Sequence, residues 1–216
     1  MNVIKIDKTK AHTIYKTEDG KRVPGVTTFT GILAKPALIK WANNLGLQGI
    51  DSTKYVDTLA DIGTLAHKLV ECDLLNSEPD ISEYSEKEID LAENALISYY
   101  EWKRDKEIEV IFVEEPLVSE KYRFGGTCDI YAKVNGVKTL IDLKTSKAIY
   151  SEMTTQVSAY RHLLIENGKR VDSTSILRIG REESEGFEYH KCVNLDLHFD
   201  KFLHCLEIYN LNKRLK

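Results

Sequence analysis

The sequence predicts an α/β chain with a mixed central β-sheet flanked by helices. Stretches with apolar residues at helical spacing alternate along the chain with stretches rich in β-branched and apolar residues. One pair of β-rich stretches is joined by Asn135-Gly136, which favours a two-residue hairpin because both turn residues must take a positive φ. The order of these helices and strands is typical of an α/β architecture.

The N-terminal part, about residues 27–106, is predicted to be helical. Helices are expected at residues 37–47 and 56–75, where apolar residues recur at helical spacing. Ser85 and Glu88 form a Ser-x-x-Glu capping box, which predicts the start of a further helix.

The strands are predicted in the C-terminal half of the chain. A buried strand is expected at residues 109–118, a hairpin at 127–144, and further strands at 173–179 and 186–193. Helices are expected at 151–167 and, closing the chain, at about 200–214. With 216 residues, 42% of them hydrophobic, the chain is long enough to bury a substantial core. We therefore interpret residues 1–216 as one domain, with its core at about 107–193.

The hairpin carries an unusual set of charges. If Val134 faces Val137, Asp129 lies across from Asp142 on the same face of the sheet, and Lys144 shares that face. Facing aspartates have Cβ atoms about 5 Å apart, and their carboxylates repel each other unless a cation lies between them. The apolar residues around Asp142 predict a buried strand, where a charge is costly unless it is paired or bound to metal. The hairpin therefore predicts a metal site.

Two helical segments carry polar residues one turn apart. Gln156 and Tyr160 lie on one face of the helix predicted at 151–167, and His67 and Glu71 lie on one face of the helix predicted at 56–75. Taken alone, such pairs are more often structural than catalytic.

Four short patterns in this order resemble the PD-(D/E)xK nuclease superfamily, and within it the RecB-like and phage-exonuclease branch. They are GTxxH at residues 63–67, GGxxD at 125–129, DxK at 142–144 and QxxxY at 156–160. Weaker similarity extends to residues 23–28 and 35–41, and Cys128 stands where the family has proline. The resemblance implies a restriction-endonuclease-like core with a helical N-terminal extension.

The resemblance also implies a set of site residues. The expected ligands of a divalent cation are His67, Asp129, Asp142, the backbone carbonyl of Leu143, and either Glu114 or Glu115. His67 is expected as an additional ligand or as a phosphate contact, and the sequence does not decide between the two glutamates. Oxygen ligands favour Mg²⁺ or Mn²⁺ over zinc.

The remaining expected roles concern water and DNA. Lys144 is expected to orient or activate the attacking water, and Gln156 and Tyr160 to position the scissile strand or the lysine. Together with Asp129 and Asp142 they form the predicted catalytic set. The predicted DNA contacts are Tyr160, Lys35, Lys40 and Lys147.

The cysteines and the absence of apolar runs bear on cofactor and location. The four cysteines, Cys72, Cys128, Cys192 and Cys205, are scattered, so we expect no iron–sulfur cluster. We expect free thiols in a reducing compartment instead. No signal-peptide core and no membrane-spanning run is found in the sequence. We expect a protein of the bacterial or phage-infected host cytosol that has no membrane partner.

These observations predict a Mg²⁺- or Mn²⁺-dependent DNA nuclease, and most specifically an exonuclease of phage or bacterial recombination or repair. The alternatives are an endonuclease of the same fold, cutting flaps, junctions or specific sites, and a catalytically inactive nucleic-acid-binding or assembly module. The net charge of −4 is compatible with a channel that acts on DNA ends or single strands. An annealing protein or a helicase is the partner that the resemblance implies. Polarity, strandedness, processivity, sequence preference, oligomeric state and the number of metals are left open by the sequence.

Overall fold

The computed structural model describes residues 3–8 and 13–215 of the chain. The N-terminal elements are β1 (Val3–Lys5), β2 (Tyr15–Lys16), β3 (Arg22–Val23), α1 (Val26–Thr30), α2 (Pro36–Leu47), α3 (Ser52–Leu75), β4 (Glu78–Asp80) and α4 (Glu86–Lys103). The elements that follow are β5 (Ile108–Ser119), β6 (Phe124–Val134), β7 (Val137–Lys144), α5 (Ser151–Glu166), β8 (Ser173–Ile179), β9 (Phe187–Lys191) and α6 (Leu195–Arg214).

The main sheet of the described chain has five strands in the order β5-β6-β7-β8-β9. Strands β5, β6 and β7 form an antiparallel meander, β8 pairs in parallel with β7, and β9 pairs in antiparallel fashion with β8. Helix α5 makes the crossover between the parallel strands β7 and β8. The predicted α/β class with a mixed sheet is confirmed.

Apolar side chains cover both faces of this sheet. One core cluster joins the sheet to α3 and α4 and includes Ile141 and Leu143 of β7. The other joins it to α1, α5 and α6 and includes Leu140 of the same strand. Because neighbouring residues of a strand point to opposite faces, Asp142 and Lys144 share the α5 side with Leu140.

The hairpin turn has the predicted conformation. Asn135 has a φ of 50° and Gly136 a φ of 81°, as a two-residue hairpin turn requires. Val134 faces Val137, and the β6–β7 ladder continues in this register to the Ile130–Ile141 pair.

Several predicted boundaries are wrong by a few residues. Helix α3 begins at Ser52 rather than at residue 56, because the Asp51 side chain accepts hydrogen bonds from the first backbone N–H groups of the helix. The closing helix begins at Leu195 rather than at about residue 200, and the last strand is shorter than predicted.

The prediction that β5 is buried is wrong. The strand lies at the edge of the sheet and, within the described residues, pairs only with β6. Most of its side chains are half-buried or exposed, and Leu117 and Ser119 are its buried residues. Its register also shifts between Val110 and Phe112, which marks a β-bulge.

The start of α4 shows the predicted capping interaction. The Glu88 carboxylate accepts hydrogen bonds from the Ser85 backbone N–H at 2.8 Å and from Lys8 Nζ at 2.8 Å. Burial alone would raise the pKa of Glu88, but the hydrogen bonds from Lys8 and Ser85 outweigh it and lower the pKa to about 2. The contact ties the N-terminal segment to α4.

Replacing Glu88 with Gln is expected to lower the free energy of unfolding at pH 7 by about 1–3 kcal/mol. Because the folded-state pKa lies below the ordinary value of 4.5, the carboxylate stabilises the fold above pH 4.5, and this contribution is lost as the pH falls towards about 2. Urea unfolding at pH 7 and pH 3.5 measures both effects. The exposed Glu86→Gln on the same helical turn is the control, and equal stability of the two variants at pH 7 would contradict the assignment.

Candidate functional site

The predicted site residues converge on one cavity of about 550 Å³. Helices α3 and α5 and strands β5, β6 and β7 each contribute to its wall. The predicted residues that line it are His67, Glu114, Asp129, Asp142, Lys144, Gln156 and Tyr160. The structure therefore brings together residues that are up to 93 positions apart in sequence, from position 67 to position 160.

Asp129 and Asp142 lie where β6 and β7 stop pairing. The last pair of the ladder is Ile130–Ile141, so the two acids occupy the next position on each strand. Asp129 Oδ2 accepts a hydrogen bond from the Leu143 backbone N–H at 2.8 Å. This bond fixes the Asp129 carboxylate against β7. The role expected for the Leu143 carbonyl stays a prediction.

The structure distinguishes between Glu114 and Glu115. The residues before and after Glu114 pair with Ile130 and Cys128, so Glu114 lies opposite Asp129. Glu114 is half-buried and lines the cavity, whereas Glu115 is exposed. Glu114 also has a φ of 50°, a strained value for a residue with a side chain, and such strain is concentrated at functional sites.

Three of these side chains can share one metal ion. His67, Glu114 and Asp129 each offer a ligand atom, and the three atoms lie within 4.8 Å of one another. His67 Nδ1 is 3.9 Å from Asp129 Oδ1. Asp142 is not one of the three, but it lines the same cavity.

Asp142 and Lys144 form a buried ion pair. Asp142 is 1% exposed, and its Oδ2 contacts Lys144 Nζ. Burial raises the pKa of Asp142 to about 6, although the charge of Lys144 opposes this shift. Burial alone would lower the pKa of Lys144, but the charges of Asp142 and Asp129 outweigh it and raise the pKa. Lys144 is therefore protonated at neutral pH.

The donor set fits a hard divalent cation. Asp142 Oδ2 is buried against Lys144 Nζ and, within residues 3–8 and 13–215, no other donor reaches it. A cation beside His67, Glu114 and Asp129 would offset the negative charge of Asp129, which adds to the effect of burial in raising the pKa of Asp142. Three carboxylates and one imidazole suit Mg²⁺ or Mn²⁺.

Gln156 and Tyr160 form the wall of the cavity that α5 contributes. Gln156 Nε2 donates to Tyr160 Oη at 2.8 Å, and Tyr160 is 6% exposed. Burial raises the pKa of Tyr160 well above its ordinary value, and the charges of Asp142 and Asp129 raise it further. Tyr160 therefore presents a neutral hydroxyl group to the cavity.

Gly126 leaves the space that the Tyr160 ring occupies. A Cβ added at Gly126 would lie 2.6 Å from Tyr160 Cε1, well inside van der Waals contact. Because the ring is buried between α5 and β6, it cannot move aside cheaply.

Replacing Gly126 with Ala is expected to lower the free energy of unfolding by about 1–3 kcal/mol and to displace Tyr160. Gly46→Ala is the matched control: it lies in α2 with nothing within 4 Å of the added Cβ, and it is expected to be neutral or stabilising by up to about 1 kcal/mol. Urea unfolding of both variants measures the difference. A Gly126→Ala variant as stable as Gly46→Ala would contradict the close packing of Tyr160.

The sequence did not indicate that residues 13–15 and Arg22 belong to the site. They line the cavity together with the segment 23–28. Tyr15 Oη shares a hydrogen bond with Thr127 Oγ1 at 2.9 Å, and the Tyr15 ring lies where a Cβ of Gly125 would be, 2.2 Å from Tyr15 Cγ. The Gly125-Gly126 pair thus accommodates two aromatic rings, and this pair was the only sequence signal of a close approach. Arg22 adds a second cationic side chain to the cavity wall.

The predicted DNA contacts outside the motifs do not line this cavity. Lys35 forms an ion pair with Glu152 at 3.0 Å, Lys40 is exposed on α2, and Lys147 lines a separate cavity. Their contacts with DNA stay predictions.

No protein-family model matches the sequence, and no curated protein matches it either. Among the helices of the described residues, none combines the length and the apolar character needed to cross a membrane. The functional argument therefore depends on the geometry of the site.

Proposed function

We propose that the chain is a metal-dependent nuclease that hydrolyses phosphodiester bonds in DNA, on a restriction-endonuclease-like core. One observation carries the proposal: Glu114, Asp129 and Asp142 come from three neighbouring strands to one cavity, where Lys144 pairs with Asp142. A protein that only binds DNA has no physical need for three clustered carboxylates, because they repel phosphate.

His67, Glu114, Asp129 and Asp142 would hold the divalent cation. When bound, such an ion polarises a phosphoryl oxygen and lowers the pKa of a water molecule. The hydrogen bond from the Leu143 N–H already orients the Asp129 carboxylate for its role as a metal ligand. An oriented ligand reduces the conformational entropy lost on binding.

Lys144 contributes positive charge next to the acids. Because its pKa is raised, it keeps its proton at neutral pH and acts as a hydrogen-bond donor. An ammonium group in a partly desolvated cavity stabilises the negative charge that develops on the phosphate in the transition state, and it can orient the attacking water. Arg22 supplies a second cation on the same wall.

Gln156 and Tyr160 are assigned positioning roles. Their mutual hydrogen bond directs the Tyr160 hydroxyl, which stays neutral and can donate to a phosphate oxygen. A phosphate held by two neutral donors and two cations is oriented towards the acids.

The more specific proposal is an exonuclease that acts on DNA ends or single strands. The net charge of −4 disfavours tight, nonspecific binding along a duplex, which depends on many Lys and Arg contacts with phosphates. An annealing-protein or helicase partner and a cytosolic location stay predictions.

Incubation with linear and covalently closed circular DNA of the same sequence tests this function. With Mg²⁺ or Mn²⁺ we expect degradation of the linear form only, and none in EDTA. Metal-dependent nicking of the circles would replace the exonuclease by an endonuclease of the same fold. Binding of both DNAs without cleavage in either metal would refute the nuclease proposal.

A further inference from the structure

A second cavity, of about 340 Å³, lies beside the proposed catalytic centre. Its wall combines apolar side chains of α3 and α4, among them Leu59 and Leu91, with the basic side chains of Lys87, Lys147 and Arg181. Tyr55 lies at its edge, 38% exposed. Three acids, Glu88, Glu182 and Glu185, also line it, so the cavity combines an apolar surface with charges of both signs.

Arg181 is the most informative of these residues. It is only 9% exposed. Its backbone N–H donates to Glu185 Oε2 at 2.9 Å, yet its guanidinium group has no ion pair or hydrogen bond within the described part of the chain. A guanidinium on a largely buried residue keeps only part of its hydration, and this is unfavourable when no ion-pair partner replaces the lost water. The arrangement is explained if the cavity receives an anion.

None of the acids that line this cavity forms an ion pair with the Arg181 guanidinium in the described part of the chain. Glu88 is engaged by Lys8 and by Ser85, and Glu185 Oε2 accepts the Arg181 backbone N–H. Glu182 is exposed, and its side chain is hydrated by solvent. Lys147 is exposed in the loop that follows β7, where it can approach an anion without loss of packing.

Two elements connect this cavity with the catalytic centre. Helix α3 contributes Leu59 to the second cavity and His67 to the first, a separation of about 12 Å along a helix. The loop after β7 leads from Lys144 to Lys147, and Thr145 between them packs against α3, with its Oγ1 3.0 Å from a Cβ added at Gly63. A short stretch of single strand can bridge this distance.

We propose that the second cavity binds one nucleotide of a single-stranded substrate, close to the bond that is cut. A backbone phosphate contacts Arg181 and Lys147, and the base packs against Tyr55, Leu59 and Leu91. This inference rests on the proposed nuclease function, and it narrows the substrate to a strand with at least one unpaired nucleotide next to the scissile bond. Because the subsite lies outside the cluster formed by Glu114, Asp129 and Asp142, we expect it to change the affinity for the substrate.

The test compares a single-stranded oligonucleotide with a small phosphodiester, the p-nitrophenyl ester of thymidine 5′-monophosphate, which cannot fill both cavities. The quantity compared is kcat/KM for the oligonucleotide divided by kcat/KM for the small ester. For Arg181→Met we expect this ratio to fall about tenfold, mainly through a higher KM for the oligonucleotide. Lys147→Ala is expected to lower the same ratio by a smaller factor. The exposed Arg104→Met is the matched control and should leave the ratio at its wild-type value.

An equal loss of kcat/KM on both substrates would assign Arg181 a structural role and overturn the subsite. Wild-type kcat/KM values on both substrates would overturn it as well. If the wild type hydrolyses neither substrate, the nuclease proposal fails separately. Binding of a fluorescent oligonucleotide in Ca²⁺ then shows whether the second cavity binds a nucleotide. Weaker binding by Arg181→Met than by Arg104→Met supports it, and equal binding overturns it.

Discussion

Replacing Asp142 with Asn is expected to reduce DNA hydrolysis by about a thousandfold or more while the protein stays folded. The substitution keeps the shape of the side chain and removes one of the carboxylates proposed to hold the metal ion. A contribution of several kcal/mol to transition-state stabilisation corresponds to a loss of this size. Initial rates of nucleotide release from linear DNA, at equal concentrations of folded protein, measure the effect.

The same variant should be at least as stable as the wild type in the absence of metal. The folded-state pKa of Asp142 is raised from 3.8 to about 6, so the protonated form stabilises the fold below pH 3.8 and this stability is lost as the pH rises through about 6. At pH 7 the ionised carboxylate therefore destabilises the metal-free protein. Asn removes that cost, and the charge of Asp129 still offsets the charge of Lys144.

Thermal unfolding separates these two effects. In EDTA at pH 7, we expect the unfolding midpoint of Asp142→Asn to equal or exceed that of the wild type. Mn²⁺ should raise the midpoint of the wild type and have a much smaller effect on the variant, because binding to the folded state alone stabilises it. A variant that is inactive only because its midpoint has collapsed would contradict the assigned role.

Replacing Lys144 with Met is expected to lower the rate of hydrolysis by about a hundredfold to a thousandfold, since one preorganised donor near the phosphate is lost. Its effect on stability should be opposite to that of Asp142→Asn. Methionine retains the aliphatic part of the side chain but leaves Asp142 buried without its counterion, which costs about 3–5 kcal/mol at pH 7. Urea unfolding in EDTA checks the stability, and single-turnover cleavage checks the rate.

The double variant Asp142→Asn/Lys144→Met is the control for this pair. It removes both charges, so we expect stability near that of the wild type together with no hydrolysis. Wild-type turnover in purified Lys144→Met, or a double variant less stable than either single variant, would show that the ion pair does not have the assigned function.

The hairpin shows how much of the site could be predicted from sequence. Asn135-Gly136 determined the turn, the turn determined the register, and the register brought Asp129 and Asp142 to the same end of two strands. This inference succeeded because each step is local: a positive φ at two residues and a strict alternation of side chains.

The choice between Glu114 and Glu115 could not be made in the same way. The register of β5 shifts between Val110 and Phe112, and a bulge changes which residues of a strand share a face. Bulges and a positive φ at Glu114 have no reliable sequence signal when no glycine marks them. The edge position of β5, which left most of its side chains half-buried or exposed, likewise depends on the order of strands in the sheet and not on the sequence of the strand.

The contribution of the N-terminal segment is a tertiary effect. Tyr15 contacts Thr127 across 112 positions of sequence, and the Pro24 carbonyl accepts the Gly125 N–H at 3.0 Å. Short strands such as β2 and β3 have too few residues for a periodic pattern. Paired glycines indicate that something approaches the backbone closely, but the partner is identified only once the chain is folded.

The most direct test of the account is the rate at which the wild type and Asp142→Asn release nucleotides from linear DNA in Mn²⁺, with EDTA as the blank. We expect hydrolysis by the wild type, none in EDTA, and a rate about a thousandfold lower for a variant that unfolds at the same temperature or higher. Equal rates for the two proteins would contradict the assignment of the acids. The absence of hydrolysis by a wild type that still binds DNA would contradict the nuclease function itself.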